Sequence, residues 1–175
     1  MDPSPNLPVP SEAALPAPLW PLGAYVIEDA PEDPLFQAIG AALAPLRPIL
    51  RWLTYEATPQ KGVTLGLGGA FHLASVHLKG EDTLLLDLPV GEMDRRAETL
   101  VGLLQRNHRR VWSLRVDSVS PASDTTPEQV VVVIERQVPL VQVGDLAELL
   151  LQGWREKLLT RGLLRGLDAP QEFRL

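Results

Sequence analysis

The stretch Glu92 to Asp117, EMDRRAETLVGLLQRNHRRVWSLRVD, changes its hydrophobic period within a few residues, and this constrains the fold more than any other feature of the chain. Met93, Ala97, Leu100, Val101, Leu104 and His108 recur at the spacing that gathers side chains on one face of a helix. Trp112, Leu114 and Val116 then alternate with Ser113, Arg115 and Asp117, the two-residue period of a half-buried strand. A helix that runs straight into a strand within one short stretch implies a mixed architecture.

The flanking segments extend that reading. Phe36, Ile39, Leu43, Leu46, Leu50 and Leu53 make a continuous helical stripe that Pro45 and Pro48 interrupt, which predicts two helical pieces over 34–43 and 46–55. Asp33 is placed to cap the first, with Pro34 at its first position. Val63 to Leu67, Phe71 to Leu78 and Thr83 to Leu88 read as three meandering strands, with Leu84, Leu86 and Leu88 on one face. Pro89 and Gly91 are expected to stop the sheet before the helix. The β-branched run Val130 to Ile134 predicts a strand covered on both faces, central or shared with a partner. Asp145 and Glu148 resemble a capping box for a last helix lined by Leu146, Leu150, Leu151, Trp154 and Leu158 and ended by Gly162, Gly166 and Pro170. The expected fold is α+β, an antiparallel sheet with helices in the order α-β-β-β-α-β-β-α. Nine of the seventeen prolines fall in residues 1–34, so 1–33 reads as a Pro-rich arm, 34–165 as one domain and 166–175 as a tail.

Charge and composition exclude several classes of function. Of the net −6, the whole excess lies in residues 1–90, with ten acidic and four basic side chains; residues 91–175 carry twelve of each. That balance argues against direct nucleic-acid contact and suits a basic protein partner, including one that itself binds nucleic acid. The chain has no cysteine, no basic start of the signal-peptide kind, and no apolar run near the roughly 20 residues that span a bilayer, so a soluble, cytoplasmic protein without membrane contact is expected.

No constellation of residues points to catalysis. His72, His77 and His108 stand in no metal-ligand spacing, no serine sits in a nucleophile elbow, and Gly66, Gly68 and Gly69 precede a strand rather than a helix. The glycines read as a loop or bulge needing positive φ. No metal, cofactor or enzymatic activity is expected. The densest basic cluster, Arg106, His108, Arg109 and Arg110, is followed by Trp112. Single-stranded nucleic acid held by Arg106, Arg109, Arg110 and Trp112 is therefore the alternative reading, set against four residues that simply complement a helix C-terminus.

Through Leu103, Leu104, Gln105, Arg106, Asn107, His108, Arg109, Arg110, Val111 and Trp112, and on through Val130 to Leu140 into Asp145, Leu146 and Leu149, the chain resembles the YbjN-like family. In element order it is similar, more distantly, to type III secretion chaperones. The resemblance covers about residues 34–160. It implies a non-enzymatic, dimeric, chaperone-like or stress-regulatory adaptor of the bacterial cytoplasm that binds a segment of another protein. Trp112, Val131, Val133, Leu150 and Trp154 are the residues expected at its protein-binding or dimer interface.

Overall fold

A computed structural model describes residues 25–68, 72–107, 111–125 and 127–167. It is α+β: a seven-stranded sheet in the order β1-β2-β3-β4-β5-β7-β6, antiparallel apart from the parallel pairing of β1 with β2. The strands are β1 (Val26–Ile27), β2 (Trp52–Glu56), β3 (Gly62–Gly66), β4 (Leu73–Lys79), β5 (Thr83–Asp94), β6 (Ser113–Ser120) and β7 (Gln129–Pro139). Helices α1 (Pro34–Leu43), α2 (Ala97–Asn107) and α3 (Leu146–Leu167) and two 3-10 turns complete the described elements.

Helix α1 starts as its sequence dictates. The Asp33 carboxylate accepts from the N–H groups of Leu35 at 2.9 Å and Phe36 at 3.3 Å, with Pro34 in the first turn. The stripe from Phe36 to Leu53 is buried throughout, but not by two helices. A 3-10 turn at Ala44–Ile49 replaces the start of the expected second helix, and its remainder is strand β2. Pro48 has no N–H to give, Leu50 turns extended at φ −78°, ψ 143°, and Trp52, Thr54 and Tyr55 are strand formers. The meander therefore has four strands, and Val26–Ile27, within the expected arm, adds an edge strand.

Pro89 and Gly91 do not stop the sheet. β5 runs on to Asp94 through a bulge in which Val90 is the extra residue, so Met93 belongs to a strand rather than to α2. A proline in a central strand is admissible at such a bulge. Gly91 takes φ +145°, and a Cβ there would lie 2.3 Å from Nη1 of Arg161 on α3. Gly66 needs no positive φ; a Cβ on it would meet Leu73 Cδ2 at 2.8 Å, so close packing accounts for that glycine. Helix α3 continues through Gly162 and Gly166 to Leu167.

The registers place Leu53, Val63, Leu65, Ala74, Val76, Leu84, Leu86, Leu88, Leu114, Val132 and Ile134 on one face, all buried. All the described helices pack on that face. On α3 the inward side carries Leu146, Leu149, Leu150, Gly153, Trp154, Lys157, Thr160 and Leu164, while Leu151 and Leu158, expected on it, point outward. A Cβ at Gly153 would lie 2.9 Å from both Leu88 Cδ2 and Trp112 Cη2, so that glycine sets how closely α3 approaches the sheet. Gly91→Ala should lower the unfolding free energy by about 1–3 kcal/mol in urea titrations, through its φ and the displacement of Arg161.

Candidate functional site

Because side chains alternate along a strand, one-sided coverage leaves the other face of the sheet without a described element over it. Its strand registers bring Thr54, Thr64, Ser75, Asp87, Glu135 and Ser113 into one row across six strands. The same face carries Glu56, Glu92, Asp94 and Asp117, so six carboxylates stand there against Lys79, Arg115 and Arg96, whose Nη2 lies 3.4 Å from Asp94 Oδ2.

Arg115 is the centre of this face. Its Nε donates to Glu135 and its Nη1 to Asp117 in short contacts, and its Nη2 reaches Asp87 Oδ2 at 3.2 Å. One guanidinium thus serves three carboxylates, and the cluster stays net negative. The second oxygen of Asp87, Oδ1, is buried without a hydrogen-bond partner. Burial pushes the Asp87 carboxyl above its ordinary value, and the nearby Arg115 charge partly offsets this. Ser75 and His77 share the face with Asp87, yet none of the described hydrogen bonds links the three, so no nucleophile–base–orienter chain is assembled.

Beside this row, the β2–β3 loop closes an open cavity of about 240 Å³ lined by Glu56, Pro59, Gln60, Gly62, Val63, Thr64, Ser75, Val76 and His77. Gly62 gives the cavity its depth, since a Cβ there would lie 2.7 Å from the Cβ of His77 and 2.6 Å from the Val76 carbonyl oxygen.

On the covered face, Lys157 is fully buried and donates from Nζ to the Leu73 carbonyl at 2.9 Å. Continuing the Ser75–Asp87 register by two residues sets Pro89 opposite Leu73, and proline has no N–H to offer that carbonyl. Burial, and then the charge of Arg161, push Lys157 down to about 7. Trp154 Nε1 donates to the His72 carbonyl at 3.0 Å, and Arg161 Nη1 to the carbonyl of the bulged Val90 at 2.9 Å. These polar anchors hold α3.

The residues expected at an interface are mostly core. Trp112, Leu150 and Trp154 are 3%, 0% and 6% exposed beneath α3. Val133 and Val131 do lie on the open face, Val133 buried between Pro89 and Arg115 in the register and Val131 half-buried. Arg106 is exposed at the end of α2, while Arg109 and Arg110 lie outside the described residues. Trp112 sits against Gly153, with the Arg136 guanidinium 5.9 Å from its ring centroid, so the ring has no face open for a base to stack on. Sequence reasoning missed Asp87, Glu135 and the cavity, and placed Arg115 only on the polar side of its strand; the registers bring these residues together. Among the described residues no group of three or more His, Asp or Glu is placed to hold a metal, and no helix is long and apolar enough to cross a membrane.

No family model, curated protein or solved structure matches the chain. The geometry therefore defines a class only: an α+β protein with one dry face and one open, acidic face.

Arg115→Met should cost about 1–2 kcal/mol at neutral pH by leaving Asp87, Asp117 and Glu135 without a counter-charge. Burial already holds Asp87 above its ordinary value and Arg115 supplies the charge that offsets it, so the variant's deficit is largest where Asp87 is ionised and shrinks as falling pH protonates it; unfolding curves down to pH about 4 should show the gap to the parent closing. Lys157 has the opposite dependence on pH. Its folded pKa, about 7, lies below the ordinary 10.5, so the unfolded chain binds the extra proton between those values and stability rises with pH across that window. Lys157→Met should lack this rise, which reaches at most about 1.4 kcal/mol per pH unit in the parent, read by urea unfolding from pH about 7 to about 9.

Proposed function

We propose that this chain is a non-enzymatic, chaperone-like or adaptor protein that holds an extended, basic segment of a partner protein against its open sheet face. The observation that carries the proposal is the excess of carboxylates on that face: Glu56, Asp87, Glu92, Asp94, Asp117 and Glu135 against Lys79, Arg115 and Arg96, the last paired with Asp94. A basic strand crossing it gains charge complementarity, and single-stranded nucleic acid meets the same sign as its own. The sequence resemblance of Leu103 to Trp112 and of Val130 to Leu149 to YbjN-like proteins points to the same reading, including action in the cytoplasm and as a homodimer, although the four-stranded meander and the edge strand β1 depart from the order that resemblance implies. With Trp112, Leu150 and Trp154 enclosed, a dimer has the free edge of β6 and the outward leucines Leu151, Leu158, Leu159 and Leu163 of α3 to draw on.

Fluorescence titration with arginine-rich, non-helical peptides tests the proposal. Binding is expected at low salt, roughly tenfold weaker once ionic strength shortens the screening length to about 5 Å, and at least about tenfold weaker for Asp117→Lys. Asp117 is half-exposed, so that change leaves the core intact. Equal binding of a neutral peptide, or tighter binding of labelled single-stranded DNA, would overturn it.

A further inference from the structure

The cavity under the β2–β3 loop has a chemistry that the open face as a whole lacks. Glu56, Gln60, Thr64, Ser75 and His77 line it, and none of these side chains forms a hydrogen bond or ion pair with another described residue. Elsewhere on the face each carboxylate is engaged: Asp87, Asp117 and Glu135 by Arg115, Glu92 by Ser120 at 2.8 Å, and Asp94 by Arg96 at 3.4 Å. A concave site lined by polar groups whose hydrogen-bonding capacity is unspent among the described residues is arranged for a ligand.

Size and sign narrow the ligand. At about 240 Å³ the cavity is smaller than the roughly 300–1,000 Å³ of sites for drug-sized molecules and cofactors, so it takes one side chain or a fragment of similar size. Glu56 is the one formally charged side chain in the lining. The lysine of the same loop, Lys61, is directed away and paired with Asp33 at 2.6 Å, so it does not neutralise the site. The Asp87 carboxyl lies one strand beyond Ser75 in the register and adds to the negative potential. Glu56, Gln60, Thr64, Ser75 and His77 all offer acceptors, and a guanidinium brings five donors in a planar fork where an ammonium brings three from a point. Gly62 keeps the floor clear at the position where any side chain would run into His77.

We infer that this cavity is a guanidinium slot that anchors one arginine side chain of the bound segment, with Glu56 as its counter-charge and Gln60, Thr64, Ser75 and His77 as the surrounding acceptors. The inference rests on the basic-segment reading and supplies what that reading lacks, a point that fixes the register of an otherwise diffuse electrostatic attraction. Arginine is preferred to lysine because the fork meets several acceptors at once.

The full chain, labelled with ¹⁵N, is titrated with N-acetyl-arginine amide, with its uncharged analogue N-acetyl-citrulline amide, and with an arginine-containing basic peptide. The arginine probe should shift the amides of Gln60, Thr64, Ser75 and His77 saturably, the citrulline probe should not, and Glu56→Gln should weaken the arginine probe about tenfold. Glu56 is exposed, so that substitution leaves packing untouched; Gly62→Ala, which fills the floor, should abolish the shifts if the variant folds. An absence of saturable shifts at these amides, or an unchanged response in Glu56→Gln, overturns the slot. If the peptide binds and moves only the surroundings of Asp87, Asp117 and Glu135, the slot fails while the basic-segment reading survives. If the probe fills the cavity but no peptide binds, the slot stands and that reading fails.

Discussion

Helix α3 is held to the sheet by donors as well as by leucines. Trp154, Lys157 and Arg161, at positions three and four apart and so on one side of the helix, each reach a backbone carbonyl: His72, Leu73 and Val90. The Leu73 and Val90 carbonyls are available because β5 departs from regularity just there, with Pro89 lacking an N–H and Val90 left over at the bulge, whereas the His72 carbonyl also accepts from the Leu67 N–H at 3.4 Å. Buried carbonyls left without donors would each cost free energy, so the irregular strand and the polar side of α3 are matched to one another. The match carries its own penalty, since burial pushes Lys157 down to about 7.

With α3 fixed in this way, and α1 and α2 beside it, the apolar side of every long strand is spent on one layer of helices. The open face follows as a consequence. Its central row, Thr54, Thr64, Ser75, Asp87, Glu135 and Ser113, is polar, although Leu85, Val131 and Val133 share the face, and Asp87, Asp117 and Glu135 gather around Arg115 rather than among the helices. A one-layer, one-sided fold of this kind leaves one face of the sheet clear of the described helices, and it is there that the proposed function places an extended segment of another chain.

Much of the fold was legible in the sequence because local physics decided it. Asp33 and Pro34 start α1, and the alternation of Leu84, Leu86 and Leu88 marks a one-sided strand; both rest on near neighbours. The piece 46–55 was not legible. Leu46, Leu50 and Leu53 keep helical spacing, yet the same burial is reached through a 3-10 turn and a strand, because Pro48 and the strand formers after Leu50 outweigh the period. Trp112 and Trp154 read as interface residues in sequence, which does not say that α3 folds back over β5 and against Trp112. Lys157 in a leucine-rich helix reads as solvent-facing until the bare carbonyl of Leu73 is seen beneath it. The candidate site was the least legible part, since Thr64, Ser75, Asp87 and Glu135 lie far apart in sequence and only strand register makes them neighbours.

The central claim is that one face of this sheet is dry and the other meets solvent. Relaxation enhancement of side-chain resonances by a soluble, uncharged gadolinium complex reads this residue by residue. Thr64, His77 and Leu85 should relax strongly, while Leu84, Leu86 and Leu88, their neighbours in chain and sheet, should be unaffected. If Leu85 and Thr64 prove as protected as Leu84, something covers the second face, and the account of an open, acidic binding surface is contradicted.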